Sequence, residues 1–167
     1  MKKIINKNLT LFYTPNYPRF IKNTSNKKYL ITIGIGGNIG NTKQLFDKLF
    51  LCLLKDSRFD LLETSPLLLN PPFGYLQQKY FLNGIIRLKS NLCANDLLKI
   101  MQRYEKKFGR KRSFQDAPRT LDIDIIFFDN KKINTEKLII PHKDWANRES
   151  VIIPLKYMNK RTTRCSF

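Results

Sequence analysis

Three observations predict an α+β sandwich, an antiparallel sheet with helices packed on one face. Strand-like and helix-like periodicities succeed one another as β-α-β-β-α-β between residues 29 and 128. The strand-like runs are rich in Ile, Leu and Phe and are bounded by Gly, Pro and Asn turns. Each helix-like run carries one wide apolar stripe, as a helix laid on a sheet requires.

Residues 1–28 are rich in Lys, Asn, Pro and Tyr without any period. They read as a basic N-terminal extension, ordered only as far as Phe12, Tyr13, Tyr17 and Phe20 pack on the domain. The domain proper, residues 29–167 with a short basic tail, starts with the β-branched run Tyr29–Ile35, a strand. It ends on Gly36-Gly37-Asn38-Ile39-Gly40, a turn that lets backbone come close to a neighbour. The spacing fits neither GxGxxG nor a P-loop. Thr42 is placed to cap a helix whose apolar face is Leu45, Leu49 and Leu53 with Phe46, Phe50 and Leu54. Phe59–Leu69 is extended and broken at Thr64-Ser65-Pro66, and Asn70-Pro71-Pro72-Phe73-Gly74 is too stiff for helix or central strand. A strand follows at Phe81–Lys89. Asn95 is placed to cap a second helix, with Leu97, Met101, Tyr104 and Phe108 on one face and Gly109 as its stop. Leu121–Phe128 is the next strand, Asp129-Asn130 turns into a short return strand, and Pro141-His142 and Val151–Leu155 close the domain. This order matches the ferredoxin-like α+β sandwich.

The 167 residues suffice for one domain with a real core, and 42% hydrophobic content excludes disorder. The formal charge of +18 sits mostly at the ends: seven Lys/Arg without an acid before residue 31 and four after residue 155 leave +7 between. A surface of that sign attracts polyanions without choosing among them. Cys52, Cys93 and Cys165 form no CxxC pair, a reducing-compartment pattern. The N-terminus lacks a signal-length apolar run, and the longest clean run, Leu49–Leu54, cannot span a bilayer. A cytoplasmic protein is expected.

The stretch GRKRSFQDAPRTLDID, residues 109–124, carries the chemistry. On a strand, Asp122 and Asp124 share one face about 6.6 Å apart while Leu121, Ile123 and Ile125 face the core. Two such carboxylates repel each other unless a cation sits between them, and a hard divalent metal suits oxygen ligands. Arg110, Lys111, Arg112 and Arg119 in the preceding loop add what a metal-bound polyphosphate needs. A bare DxD after a basic loop is more often plain surface, so the flanking residues must decide.

Those residues are Gly36-Gly37-Asn38, Pro71-Pro72-Phe73-Gly74, Phe81-Leu82-Asn83, Gln102-x-x-Glu105, Gly109-Arg110-x-Arg112, Ala117-Pro118-Arg119-x-x-Asp122-x-Asp124, Pro141-His142 and Asn147-Arg148. The ladder resembles the 6-hydroxymethyl-7,8-dihydropterin pyrophosphokinases of folate biosynthesis over about residues 29 to 155. The resemblance implies the ferredoxin-like fold and transfer of pyrophosphate from ATP to the pterin hydroxymethyl group, releasing AMP. It implies two Mg²⁺ ions on Asp122 and Asp124, and a catalytic loop carrying Arg110 and Arg112. It assigns Gln102, Glu105, Arg119, Ile125, Lys137, His142 and Arg148 to ATP, and Asn70, Pro71, Phe73, Phe81 and Asn83 to the pterin. The expected protein is a monomer acting on small molecules, engaging neither membrane nor nucleic acid. The chain departs from the family pattern at Asn70 (often Thr), Ala117 (usually Gly), Ser150 (commonly aromatic) and in lacking a loop tryptophan.

The rival from another class is a basic ferredoxin-like nucleic-acid-binding module, which would use the +18 directly. Neither central strand carries the RNP1 pattern, and bare carboxylates on the sheet face repel phosphate. A metal-dependent cyclase or nuclease built on the aspartates leaves Phe81-Leu82-Asn83 unexplained.

Overall fold

A computed structural model describes residues 1–22, 24–111, 114 and 117–158. The first half of the chain forms β1 (Lys2–Ile4), β2 (Thr10–Phe12), β3 (Arg19–Phe20), β4 (Tyr29–Gly37), α1 (Thr42–Lys55), β5 (Phe59–Thr64) and β6 (Leu67–Asn70). The second half forms β7 (Phe81–Ser90), α2 (Ala94–Lys107), β8 (Asp122–Phe128), β9 (Ile133–Asn134), β10 (Ile139–Ile140), a 3₁₀ turn (Trp145–Asn147) and α3 (Glu149–Lys156). The protein is α+β. Its main sheet runs β1-β2-β6-β7-β4-β8, with β5 beside the far end of β7 and β3 beside β5, every pairing antiparallel.

β4 is central because alternate residues Ile31, Ile33 and Ile35 all point to one face, where they are buried. That face meets Phe46, Leu49, Phe50 and Leu53 of α1 and Leu97, Ile100, Met101 and Tyr104 of α2. α1 is capped by Asn41, whose side chain accepts from the Gln44 N–H, so Thr42 is the first helical residue and not the cap. Cys93 precedes α2 without a side-chain cap bond, and Asn95 lies inside the first turn. Gly109, at φ +81°, ends α2 in the left-handed region as its position predicts.

α3 departs from the one-face expectation. It packs on the opposite face, where Val151 joins Ile85, Ile126, Phe127 and Met158. A bulge in β8 makes this possible: Ile33 pairs with Ile125 but Thr32 with Phe127, leaving Ile126 as an extra residue. Ile126 and Phe127 therefore both reach the α3 cluster, and Phe128 returns to the α1–α2 core.

The N-terminal residues are woven in more deeply than a basic extension suggests. β2 continues the sheet beyond β6, with Thr10 opposite Leu69 and Phe12 opposite Leu67. Leu9 and Leu11 are buried with Leu68, and Ile153 of α3 packs on them. Tyr17 is fully buried between Phe46 and Phe50, its hydroxyl donating to the Phe46 carbonyl at 3.0 Å.

Asp56 closes α1 and ties it to α2. Its carboxylate accepts from Arg58 Nε and Nη2 at 2.8 and 2.6 Å and from the Tyr104 hydroxyl at 2.8 Å. The hydrogen bonds from Arg58, ahead of that from Tyr104, hold its pKa down to about 2. The folded state thus binds fewer protons than the unfolded chain, so this contribution is full above the ordinary value of 3.8 and is lost as pH falls toward 2. Asp56→Asn is expected to lower the melting temperature at pH 6 and to shrink its fall between pH 4 and 2. Parallel acid limbs in the two proteins would refute the linkage.

Candidate active site

The site grows from the face of the sheet that α1 and α2 leave free. Asp122 and Asp124 alternate with Ile123 and Ile125 on β8, so both carboxylates lie on this face and both line a cavity of about 350 Å³. Opposite them on β4 stand Gly36, paired with Asp122, and Gly34, paired with Asp124. The missing side chains leave the floor open. A Cβ on Gly36 would fall 2.6 Å from Asn83 Oδ1, and one on Gly34 3.3 Å from the end of Ile126.

One wall of the cavity comes from the β6–β7 connection. Asn70, Pro71, Pro72, Phe73, Phe81 and Asn83 all line it. Asn83 Nδ2 donates to Asn70 Oδ1 at 2.7 Å, and Asn70 Nδ2 donates to the Pro71 carbonyl at 2.8 Å. The amides thus fix one another while Phe73, 70% exposed, stands at the rim. Arg119, His142, Asn147, Arg148, Glu149 and Ser150 form the other wall. The Arg119 guanidinium lies 5.1 Å from the centre of the Phe81 ring, and that of Arg148 lies 5.3 Å from the Phe73 ring.

The two aspartates are held differently. Asp122 accepts from Arg110 Nη1 at 2.5 Å, and Arg119 Nε stands 3.4 Å from its second oxygen. Among the described residues, no hydrogen bond or ion pair reaches the Asp124 carboxylate. Burial, and then the charge of Asp122, raise the Asp124 pKa to about 7. Glu105 is buried on α2, where its carboxylate accepts from the Ile123 N–H at 2.8 Å and pairs with Arg110. Burial pushes its pKa up. Glu105 braces β8 and Arg110 and does not line the cavity. His142 lies in the cavity wall with Nδ1 accepting from the Asp144 N–H at 3.3 Å; burial, then the charge of Arg148, lower its pKa and favour the neutral ring.

The sequence-predicted residues fall into three groups. Asp122, Asp124, Arg119, His142, Arg148, Asn70, Pro71, Phe73, Phe81 and Asn83 meet around one cavity, with Arg110 joined to it through Asp122. Ile125 points into the α1–α2 core, Gln102 is half-buried on α2 away from the cavity lining, and Lys137 is exposed in the turn between β9 and β10. Arg112 lies outside the described residues. The sequence reading missed Gly34 and Glu149, although Gly34 carried a signal: a glycine amid β-branched residues marks close approach or open floor. Trp145 packs against Phe127, ring centres 5.0 Å apart, beneath the wall and not in it.

The arrangement suits a polyanion held beside a flat group. Among the described residues, the Nε–H groups of Arg119 and Arg148 are buried without an acceptor, and both arginines line the cavity. The carboxylate pair fits a hard cation, because the half-buried Asp124 carboxylate lines the cavity without a partner among the described residues. No group of three or more His, Cys, Asp or Glu side chains stands ready for a metal among the described residues. Two carboxylates fill only part of a shell, the pattern of a cation that shares its ligands with phosphate oxygens and water.

The sequence profile of the family described as 7,8-dihydro-6-hydroxymethylpterin-pyrophosphokinase matches residues 32–160. A 2-amino-4-hydroxy-6-hydroxymethyldihydropteridine pyrophosphokinase of Campylobacter jejuni is 45% identical over 139 residues, covering 83% of this chain and 88% of the relative. The protein of the same name from Helicobacter pylori is 37% identical over 141 residues, 83% and 86% of the two chains. That of Bacillus subtilis is 33% identical over 123 residues, 74% of each.

Proposed function

The chain belongs to the 7,8-dihydro-6-hydroxymethylpterin-pyrophosphokinase family and is an ATP-dependent diphosphotransferase of folate biosynthesis; from that premise we propose how its residues divide the work. The pterin lies against Phe81, with its polar edge on the Asn70–Asn83 amide pair and the backbone at Pro71. The triphosphate lies along Arg119, His142 and Arg148. Asp122 and Asp124 would hold two Mg²⁺ ions, which would neutralise phosphate charge when bound. The observation that carries this reading is the pair of buried arginine N–H groups without acceptors in a cavity that also holds the carboxylate pair.

In the reaction, the pterin hydroxymethyl oxygen forms a bond to the β-phosphorus of ATP and gives up its proton to solvent, while the bond from that phosphorus to the oxygen bridging to the α-phosphorus breaks, its electron pair staying on that oxygen as AMP leaves. Arg119 and Arg148 turn the N–H groups that lack hydrogen-bond acceptors to the phosphates and hold the triphosphate in line. Arg110, now on Glu105 and Asp122, is poised to shift to developing phosphate charge, and Arg112 acts from the same loop. Asn83 orients the heterocycle, and the Phe73 rim keeps water from the reacting oxygen. Gln102, Glu105, Ile125 and Lys137 support the nucleotide side from outside the cavity lining, Glu105 by bracing β8.

The strand order β8-β4-β7-β5/β6, with α1 and α2 on one face, supports a ferredoxin-like sandwich augmented by the N-terminal strands and α3. No described helix is long and apolar enough to cross a membrane. We place the protein in the cytoplasm as a monomer. The direct test is mass-spectrometric analysis of products from Mg-ATP and hydroxymethyl-dihydropterin. AMP and the pterin pyrophosphate are expected; ADP, or no product from folded protein, would reject the reading.

Gly36→Ala tests the pterin half. Its Cβ would displace the Asn83 amide, which lies 2.6 Å from that position. The pterin KM is expected to rise about tenfold, the factor for 1.4 kcal/mol, while the ATP KM moves little. Equal rises in both constants would move the pterin away from Asn83.

A further inference from the structure

Asn38 lines neither wall of the cavity, yet it is bonded to segments that enter both. It is 8% exposed, just past the end of β4. Its Nδ2 donates to Gln78 Oε1 at 2.9 Å and to the Lys79 carbonyl at 3.0 Å. Its Oδ1 accepts from the Arg119 N–H at 2.9 Å, and its own N–H donates to the Arg119 carbonyl at 2.9 Å. Both amide hydrogens and the amide oxygen are engaged, and only this amide orientation satisfies all three partners, because a flip would set oxygen against the two carbonyl oxygens. The grip is close: a Cβ on the preceding Gly37 would lie 2.4 Å from the Thr120 carbonyl oxygen.

The two segments joined here do different things. Gln78 and Lys79 end the connection whose other end, Asn70 to Phe73, walls the pterin side. Arg119 lines the nucleotide side and lays its guanidinium over Phe81.

We infer that Asn38 is a positioning residue that couples the two substrate sites, so that ordering Arg119 on the nucleotide orders the 71–80 connection around the pterin. The inference rests on the proposed division of the cavity. A ligand that fixes one arm removes part of the ordering cost of the other, which is positive cooperativity by linkage. The effect is reciprocal, so the pterin must tighten the nucleotide by the same factor.

The experiment uses the full chain and measures hydroxymethyl-dihydropterin affinity by calorimetry, with and without α,β-methylene-ATP and Mg²⁺. In the parent protein the analogue is expected to tighten pterin binding by between about 5-fold and 150-fold. In Asn38→Ala that factor is expected to fall to within about twofold of unity, while pterin affinity without the analogue changes less than the coupling. A merely structural residue would lower both affinities and leave their ratio alone. Gln78→Ala, at a half-buried loop position, removes one arm's side-chain bond without emptying the turn, and is expected to reduce the factor partly even if Asn38→Ala does not fold. An unchanged factor in folded Asn38→Ala, or in Gln78→Ala where only that variant folds, would overturn the coupling while parent turnover to AMP leaves the division of the site standing. A parent protein that makes AMP but binds pterin away from Phe81 and Asn83, seen as full affinity in Asn83→Ala, would overturn both.

Discussion

Asp124→Asn is expected to lower kcat by at least about 10³-fold without lowering the melting temperature. The two halves of that outcome come from one fact: the Asp124 carboxylate is half-buried in the cavity and unpartnered among the described residues. A carboxylate there costs folding free energy, since burial and the neighbouring Asp122 raise its pKa to about 7. An amide of the same shape escapes both penalties but cannot neutralise a cation. Asp122→Asn is a less clean probe, because it also breaks the contacts with Arg110 and Arg119. Steady-state turnover beside thermal melting of metal-free protein checks the expectation. Activity within a few-fold of the parent would remove Asp124 from the metal; a clear loss of stability would show that its carboxylate has a partner after all.

Tyr17→Ala is expected to cost about 3–5 kcal/mol, the range for emptying a large aromatic site. For a chain of this size that corresponds to roughly 6–20 °C in melting temperature. Tyr17→Phe keeps the ring between Phe46 and Phe50 and loses only the hydroxyl bond to the Phe46 carbonyl, about 1 kcal/mol. Turnover per folded molecule should stay at the parent rate in both, because no cavity-lining residue precedes Gly34. A melting temperature unmoved by Tyr17→Ala would show that residues 1–28 are a dispensable extension.

What the sequence disclosed depends on the range of the interactions involved. Asp122 and Asp124 were legible because strand alternation is local and its period is two. Gly109 was legible because a helix stop needs φ > 0 at one residue. Glu105 was not. With Gln102 it reads as a polar helix face, and only Arg110 folding back and the β8 backbone N–H give it a buried role. Tyr17 was legible as a residue that packs on the domain, but its aperiodic surroundings named no partner, and β6 and α1 supply that partner from far along the chain. α3 went to the opposite face because a one-residue bulge re-aims Phe127, and no hydropathy pattern announces a bulge. The Gly-rich turn after β4 was read rightly as a place of close approach, but its neighbour is the Arg119–Thr120 backbone.

The hairpin of β1 and β2 also bears on how this protein behaves in a crowded solution. Without it, the rim of the sheet would be Leu67-Leu68-Leu69, an apolar strand with unpaired amides, the kind of template on which neighbouring molecules add end to end. With it, the outermost strand is Lys2-Lys3-Ile4, whose charges repel an incoming copy. The basic residues at the start of the chain thus act as colloidal guards at a sheet edge. Neutralising Lys2 and Lys3 would therefore show first as concentration-dependent light scattering, in protein whose catalysis is untouched.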